Sequence, residues 1–397
     1  MSVENVQPAT GGTRAVASAS PKKERLLSLD VFRGITLLSM VLVNSHGAQY
    51  KYPPLSHVPW HGWSYTDLVF PFFVFIVGTA IPYSVESRRA RGAGNAEIML
   101  HVFRRALVLF AIGITMNWWH KFDFAHPALD LEHLRFFNVL QRIALCSIAA
   151  TAMHLWWKPK SQMIFAGAVL VLYYVLMTFV PVPGYGAGVL EKVGNWVQYI
   201  DSHVMGAHCG MVEKGQYLEG KGLLSTLPAI VTTLLGLWTG RYLRTSAGPH
   251  EKMVGLYFFG ALGMFAGAFW ANFFPVNQNL WTSSLVLLMG GMAATVLASC
   301  YYIVDLRKIT WWTRPCMVFG MNSIAVWICS VTFKDALEKI QIAVGDGKMV
   351  NLKTYLFNGL AQWFGPWNGS LAFGVLYVLF WLVIMNEFYR RKIYFKV

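Results

Sequence analysis

Charged side chains are scarce in this sequence. They make up 13% of its 397 residues, whereas soluble domains carry about 25%, and apolar residues make up 55%. This balance argues against a soluble domain and indicates a chain that is largely embedded in a membrane.

Acidic residues are scarcer than basic ones. The chain has 19 Asp and Glu against 33 Lys and Arg, which gives a net charge of +14. On a soluble domain such an excess would suggest nucleic acid as a partner. The basic residues here lie between apolar segments instead, which is typical of charges that orient a protein in a membrane. No nucleic-acid partner is therefore expected.

Several signatures of other protein classes are missing. The five cysteines form no CxxC pair, which argues against a disulfide framework or a cysteine metal site, and no metal is expected. The chain also has no GxSxG, no GxGxxG and no His followed by Asp five residues later. These absences argue against serine hydrolases, Rossmann enzymes and glycerolipid-type acyltransferases.

The first 25 residues lack the apolar core of a signal peptide and are rich in Ala, Ser and Gly. We predict a disordered cytoplasmic tail over residues 1–25, followed by a single transmembrane domain over residues 26–397.

Apolar segments dominate the rest of the chain, and ten of them are about long enough to cross a hydrocarbon core. The predicted fold class is therefore all-α, a polytopic membrane protein with about ten transmembrane helices. A shorter stretch at 352–364 is expected at the interface or as a re-entrant segment. The spacings Gly236/Gly240 and Gly263/Gly267 predict close helix packing. The ten segments lie at about 30–46, 66–84, 100–117, 136–156, 162–182, 223–242, 252–273, 281–303, 313–332 and 370–389.

The distribution of basic residues predicts the orientation. With the N-terminus inside, 22 of the 33 Lys and Arg fall on the inner side, so both termini are expected in the cytoplasm. Eight of the eleven histidines then lie outside. They are His46, His57, His61, His120, His126, His133, His203 and His208.

The stretch LSHVPWHGWSYTDLVFPFFVFIVGTAIPYS, residues 55–84, has the features of a reactive site. Asp67 lies where a polar loop meets an apolar segment, and a carboxylate at that depth needs a partner or a polar cavity. His57 and His61 in the loop suit proton transfer near neutral pH. An interfacial structural role for His57 stays open. A metal site formed by these three residues lacks a supporting spacing motif.

Two further polar residues are expected near the outer boundary. Asn44 closes the first span and can approach His57, where it would orient the imidazole or bind an acetyl oxygen; an interhelical hydrogen bond is the alternative. Asp67 and Arg135 can form a charge pair there, either for substrate binding or as a structural contact.

A set of motifs occurs in order along residues 25–397. They are Leu29-Asp30-Val31-Phe32-Arg33-Gly34, Asn44, SHVPWHGW with TDLVFPFFVFIVG, Arg135, Val139-Leu140-Gln141-Arg142, GLLSTLPA at 222–229, Gly320-Met321-Asn322-Ser323-Ile324 and Arg391-Lys392-Ile393. In these motifs the chain resembles the heparan-α-glucosaminide N-acetyltransferase family of transmembrane acyltransferases. The resemblance implies an enzyme that uses cytoplasmic acetyl-CoA to acetylate the amine of a terminal glucosamine on the external side, with His57 and Asn44 in the active site.

The chain departs from the family pattern at two places. Phe137-Asn138 stand where the family often has Pro-Gly, and Lys221 occupies the usual acidic position before Gly222, with Glu219 two residues earlier. Glu219 therefore joins Asp67 and Arg135 as a predicted substrate-binding residue.

Predicted residues for acetyl-CoA lie deeper or on the cytoplasmic side. Arg33, beside Asp30 at the start of the first span, is expected to bind coenzyme A phosphates. Gln141 and Arg142 are expected to line a cofactor channel, and Asn322 to bind the pantetheine amides or join helices.

The resemblance implies an amino-sugar or glycan acceptor and a multi-pass protein of the bacterial cytoplasmic membrane, with a homodimer as the oligomer considered. His57 would act as base or as acetyl carrier. The competing hypothesis is an amino-sugar permease, which would need no thioester site.

Overall fold

The computed structural model describes residues 26–47, 50–122, 131–213, 215–344 and 348–395. The predicted tail at 1–25 lies outside the described residues. Helices form almost all of the described chain. The α-helices are α1 (Leu27–Asn44), α2 (Tyr65–Arg89), α3 (Asn95–Lys121), α4 (Val139–Trp156), α5 (Pro159–Phe179), α6 (Trp196–Met205), α7 (Thr226–Leu243), α8 (Pro249–Trp270), α9 (Ser283–Cys300), α10 (Thr313–Met321), α11 (Ser323–Lys339) and α12 (Leu352–Arg390).

Eight of the described helices are long and apolar enough to cross a membrane, and a ninth span arises if the pair α10 and α11 counts as one. These two helices meet at 84°. The sixth predicted segment, 223–242, corresponds to α7, an 18-residue helix that carries several threonines and glycines. Helix α7 packs inside the bundle, where protein rather than lipid surrounds it, so it needs no continuous apolar surface. The prediction of an all-α polytopic membrane protein is confirmed.

The short stretch at 352–364 forms the first part of α12. Gly365 then adopts φ 74° and is followed by Pro366, so the chain bends there before the apolar second part. A positive φ favours glycine, and proline lacks the N–H that a continuous helix requires.

The spans alternate in direction between two ends of the bundle. We call the end where α1 begins and α12 finishes the lower end, and the end where α1 finishes at Asn44 the upper end. At the lower end the Ser28 backbone N–H donates to the Asp305 carboxylate over 3.2 Å. There too Asn322 Nδ2 donates to the Ile393 carbonyl over 3.2 Å.

Glycines bring helices together as their spacing predicts. Gly236 and Gly240 of α7 lie directly against the backbone of α2 at Phe75 and Thr79. Gly263 and Gly267 of α8 lie against the backbone of α9. A β-carbon at any of these four positions would collide with backbone atoms of the facing helix or crowd them, so the predicted close packing is confirmed.

The upper end carries the larger connections. They include the 3₁₀ turn Pro53–Leu55, helix α6 and two antiparallel hairpins. The hairpin strands are β1 (Met211–Glu213) with β2 (Gln216–Leu218), and β3 (Gln341–Val344) with β4 (Lys348–Asn351). At the lower end α9 continues as a π-helical turn, Tyr301–Leu306.

Candidate active site

His57 and Asp67 form a close pair at the upper end. His57 Nδ1 lies 2.5 Å from Asp67 Oδ1. The histidine side chain is 60% exposed, whereas the aspartate side chain is 3% exposed. With the carboxylate ionised, Nδ1 carries the proton and donates it, so the lone pair of Nε2 is free for chemistry. Asp67 therefore sets the tautomer of His57.

The local sequence fixes this geometry. Asp67 is the third residue of α2, and its Oδ2 accepts hydrogen bonds at 3.0 Å from the backbone N–H and from the hydroxyl of Ser64. Val58 N–H donates to the same oxygen over 3.4 Å. The carboxylate thus caps the first turn of α2 and holds the loop that carries His57.

A second segment fixes the loop from the other side. Gly62 N–H donates to the Val276 carbonyl over 2.7 Å, and Asn277 Nδ2 donates to the Trp60 carbonyl over 2.9 Å. His61 lies beside Asn277, with 3.4 Å between Nδ1 and Nδ2. His61 therefore contacts the segment that holds the loop in place. Within the part of the chain that the structure describes, no three His, Cys, Asp or Glu side chains are grouped for a metal ion.

His57 faces a cavity of about 430 Å³, which we call the upper cavity. Asn44 lines the same cavity, with its Nδ2 donating to the Met40 carbonyl over 2.9 Å. The structure thus places the two predicted catalytic residues, His57 and Asn44, on one cavity that is large enough for a sugar-sized ligand.

The predicted Asp67–Arg135 pair does not form. Asp67 pairs with His57, and Arg135 makes a two-pronged ion pair with Glu219 at 2.8 Å and 2.5 Å. Glu219 is fully buried and also accepts the backbone N–H of Gly210 at 2.9 Å. The direct substrate contact expected of Asp67 and Glu219 stays a prediction. Both lie behind a side chain that lines the cavity and hold it in place.

The upper cavity is rich in positive charge. Arg135, Lys121, Lys221 and Lys334 line it. Burial and, to a smaller extent, the neighbouring Arg135 lower the pKa of Lys221 to about 8, against the opposing effect of Glu219. Lys221 occupies the position where the family pattern has an acidic residue, so the cavity gains positive charge at this point.

A second histidine–carboxylate pair lines the same cavity. His120 Nδ1 lies 3.2 Å from Asp335 Oδ2. Sequence reasoning counted His120 among the outer histidines but did not select it, and it did not select Asp335. The signal was present, because Asp335 ends an apolar segment just as Asp67 begins one.

Two asparagines that sequence reasoning also missed, Asn117 and Asn138, line the upper cavity. Asn138 Nδ2 donates to Asn117 Oδ1 over 2.8 Å, and Asn117 Nδ2 donates to the Arg135 carbonyl over 2.8 Å. Asn138 also caps α4 by accepting the Val139 N–H at 2.8 Å. Asn138, which departs from the family pattern, thus holds the backbone of Arg135 in place through Asn117.

A second cavity of about 250 Å³, the lower cavity, lies toward the lower end. Arg33, Arg105 and Ser323 are its polar lining residues, and the remaining lining is apolar. Arg33 Nη1 contacts Asp30 Oδ1 at 3.2 Å, so the predicted Asp30 holds the predicted Arg33. Asp30 itself is buried.

The two cavities share part of their lining, which we call the neck. The neck has four residues, all with large or branched apolar side chains. One residue comes from each of α1, α2, α4 and α11. The neck consists of Met40, Phe70, Val139 and Trp327. These four side chains therefore form a common wall between the cavity that His57 faces and the cavity that Arg33 lines.

The predicted channel residues Gln141, Arg142 and Asn322 line neither cavity. Arg142 is fully buried, where it donates to the Gly222 carbonyl and to the Ser225 hydroxyl and lies 5.0 Å from the Trp281 ring.

Gln141 Nε2 donates to the Phe110 carbonyl over 3.3 Å. Asn322 Nδ2 donates to the Ile393 carbonyl, and its Oδ1 accepts the Phe395 N–H. Each of these side chains joins parts of the bundle, and their cofactor role stays a prediction. Ser323 and the neighbours of Gln141 form the wall instead.

Comparisons with known proteins identify the family to which this chain is similar. A family model described as "Heparan-alpha-glucosaminide N-acetyltransferase, catalytic" matches residues 25–265. A human protein named heparan-alpha-glucosaminide N-acetyltransferase is 26% identical over 451 residues, which cover 99% of this chain and 62% of the human protein. The mouse protein of the same name is 27% identical over 354 residues, covering 77% of this chain and 53% of the mouse protein. The chain thus matches between about half and three fifths of the length of these relatives.

Proposed function

Because the chain belongs to the heparan-alpha-glucosaminide N-acetyltransferase family, we propose that it transfers an acetyl group from acetyl-CoA to the amine of a glucosamine-type sugar on the other side of the membrane. The observation that carries this proposal is the pair of adjoining cavities. One cavity presents histidine beside carboxylate, the other presents two arginines, and a shared apolar neck joins them.

The lower cavity suits the nucleotide end of the donor. Coenzyme A carries a pyrophosphate and a 3′-phosphate, and arginine is well suited to bind such groups. Arg33 and Arg105 line this cavity, and Arg88 lies near Arg105. We assign phosphate binding to Arg33 and Arg105, and an amide contact along the pantetheine arm to Ser323.

The pantetheine arm is long enough to explain the spacing of the two ends. Arg33 and Asn44 are eleven residues apart on α1, a distance of about 16 Å along a helix that rises 1.5 Å per residue. An extended pantetheine arm lying along the neck would bring the thioester to the upper cavity. The nucleotide then stays at the lower end throughout the reaction.

The upper cavity suits acyl transfer. Nε2 of His57 is the available nucleophilic or basic atom, because Nδ1 is bonded to Asp67. Asn44 lies on the same cavity and is placed to stabilise the oxyanion that forms at the acetyl carbonyl. Arg135 and Lys221 would bind hydroxyl or anionic groups of the acceptor, which fits an amino sugar within a charged glycan.

In this proposal the protein lies in a bacterial cytoplasmic membrane with its lower end in the cytoplasm. The predicted concentration of 22 of the 33 basic residues on the cytoplasmic side supports this orientation. Only the acetyl group passes outward, while coenzyme A is released where it entered.

Sealed vesicles of known orientation test the proposal. Acetyl-CoA is supplied only on the cytoplasmic face, and a membrane-impermeant amino sugar only on the opposite face. We expect acetylated sugar outside and free coenzyme A inside. Product that forms only when both substrates share one compartment would refute the transmembrane route while leaving the chemistry in place.

Binding of acetyl-CoA to the purified protein separates this proposal from the amino-sugar permease. A transferase binds the thioester specifically and in competition with coenzyme A, whereas a permease has no site for it. Accumulation of unmodified sugar in vesicles without acetyl-CoA, together with no thioester binding, would favour the permease.

A further inference from the structure

His120 and Asp335 repeat the arrangement of His57 and Asp67 with residues from other helices. His120 lies at the end of α3 and Asp335 on α11, 215 positions apart in the chain. The histidine side chain is 67% exposed and the aspartate side chain 4% exposed, close to the 60% and 3% of the first pair. In both pairs the carboxylate contacts Nδ1, which leaves Nε2 available.

Other histidines at the upper end have different surroundings. Burial and, to a smaller extent, Lys51 lower the pKa of His46 to about 4. His203 lies against Tyr199 and contacts its carbonyl at 2.7 Å. His208 stacks on a phenylalanine ring. These three do not line the upper cavity, whereas His57 and His120 do.

The structure holds the end of α3 firmly against α11. Trp119 Nε1 donates to the Thr332 carbonyl over 3.2 Å, and the Lys339 ammonium donates to the carbonyls of Trp119 and His120. His120 is therefore positioned by backbone contacts that do not involve its ring, and the ring keeps its exposure to the cavity.

Acetyl transfer to an amino sugar through a histidine carrier needs two groups on the protein. One holds the acetyl group, and the other takes a proton from the amine. An alkylammonium must lose a proton before its nitrogen can attack a carbonyl carbon. An imidazole that already carries the acetyl group on Nε2, while Nδ1 is bonded to a carboxylate, has no lone pair left to take that proton. A second base on the same cavity removes the conflict.

Resting on the proposed function, we propose that His120 is the base that deprotonates the acceptor amine, while His57 carries the acetyl group. Nε2 of His57 attacks the thioester carbon, the C–S bond breaks, and the thiolate leaves and takes a proton from solvent. Nε2 of His120 then takes one proton from the ammonium. The neutral amine attacks the acetyl carbon, the C–N bond to His57 breaks, and the freed imidazole takes the second proton of the amine nitrogen.

The charges that surround His120 fit this assignment. Positive side chains around the cavity disfavour the ammonium form of the acceptor, so they favour its neutral amine. Asp335 opposes them and stabilises the imidazolium once the proton has moved. Among the described residues, the charged or titratable groups that face the cavity or the end of α3 are Lys121 of α3, Lys334, Asp335 and Lys339 of α11, Arg135 and Lys221 of the upper connections, and His57 with Asp67.

The test compares two acceptors in His120→Ala at pH 7. Glucosamine is largely protonated and needs a base, whereas methoxyamine is already neutral. We expect a 10²- to 10⁴-fold loss of kcat with glucosamine, the contribution of one acid–base group, and a loss of less than about threefold with methoxyamine. Added imidazole should restore part of the glucosamine activity. His57→Ala should lose both acceptors.

The pH profile provides a second readout. Below the pKa of the amine, the activity of His120→Ala with glucosamine should rise about tenfold per pH unit, whereas the wild-type profile should be less steep because the protein supplies the base. Asp335→Asn keeps the shape of the side chain and should shift the profile with a smaller loss of rate. His203→Ala, remote from the cavity, is the matched control and should behave as wild type.

The possible outcomes are distinct. Equal losses with both acceptors, an unchanged pH profile and no rescue by imidazole, in a His120→Ala protein that elutes as wild type and binds acetyl-CoA, would assign His120 a structural role and overturn the inference. A wild-type protein that acetylates neither amine would instead refute the proposed function.

Discussion

The upper and lower cavities differ in kind although they share a wall. The upper cavity is polar, with two histidines, three lysines and an arginine among its lining residues. The lower cavity is mainly apolar, and Arg33 and Arg105 are its charged lining residues. The upper cavity offers bases and nucleophiles, whereas the lower one offers fixed positive charge. The difference supports the proposal that reaction and donor binding take place in separate cavities.

This separation predicts that substitutions at the two ends act on different quantities. A change in the upper cavity should alter the rate of transfer with little effect on donor affinity. A change in the lower cavity should alter donor affinity. The neck should couple them, because the thioester must pass it to react.

The largest expected effect is that of His57→Ala. Loss of Nε2 should abolish measurable transfer, a decrease of about 10⁴-fold or more, at the upper limit for a single acid–base group. Acetyl-CoA affinity, measured by calorimetry on the same preparation, should stay within about twofold. Full activity in a monodisperse His57→Ala protein would remove His57 from the reaction.

Narrowing the neck should have the next largest effect. Val139→Phe places a larger side chain in the wall that both cavities share, so transfer should fall by about 10²-fold, as expected when reacting groups are misplaced. Adenosine 3′,5′-bisphosphate, which lacks the pantetheine arm, should bind unchanged. Val171→Phe on the exposed face of α5 is the control. Equal losses in both variants would show a general packing effect rather than a blocked path.

Removing a lower arginine should weaken donor binding. Arg33→Ala should cost about 1.5–3 kcal/mol of acetyl-CoA binding, the value of a charge-assisted hydrogen bond, and should leave kcat at saturating donor nearly unchanged. Arg390→Ala, at an exposed position of the same end, is the control. An unchanged affinity in Arg33→Ala would return Arg33 to a role in membrane orientation alone.

The smallest expected effect concerns Asp201, which lies behind the upper cavity. Burial raises its pKa to about 7 against the opposing Leu223 N–H and Arg142, and its Oδ2 has no hydrogen-bond partner. Because the folded pKa exceeds the ordinary value, Asp201 contributes most to stability at low pH, and this contribution declines as pH rises from about 4 to 7.

Asp201→Asn removes this titration and still accepts the Leu223 N–H. We expect the melting temperature of the variant to exceed that of the wild-type protein increasingly between pH 4 and 7, as followed by thermal unfolding in detergent. A variant that is less stable than wild type at pH 7 would mean that an ionised Asp201 stabilises Arg142 there.

Local parts of the site were predictable from the sequence. His57 and Asp67 are ten residues apart, and a helix start beside a short loop brings them together. The Gly236/Gly240 and Gly263/Gly267 contacts follow from spacing on a helix, which places residues four apart on one face. The positions of the helices were also predictable, because each long apolar segment of the sequence marks a helix.

The roles of Gln141 and Arg142 were not predictable. Polar residues inside a span indicate a partner or a cavity, but not which of the two. Helix α4 is apolar over most of its circumference, so its sequence does not tell which face meets the cavity. Rotation of the helix within the bundle turns Val139 and Ile143 toward the lower cavity and Arg142 toward Ser225.

The sequence by itself determined that this chain is a bundle of membrane helices, and it placed His57 and Asp67 together in one stretch where a polar loop meets an apolar segment. Only the tertiary structure decided that Arg135 pairs with Glu219 and His120 with Asp335, across 84 and 215 positions. The physical reason is the separation of the contacting residues along the sequence. Backbone geometry fixes contacts within a helix or a short loop, whereas contacts between distant helices depend on how the whole bundle packs.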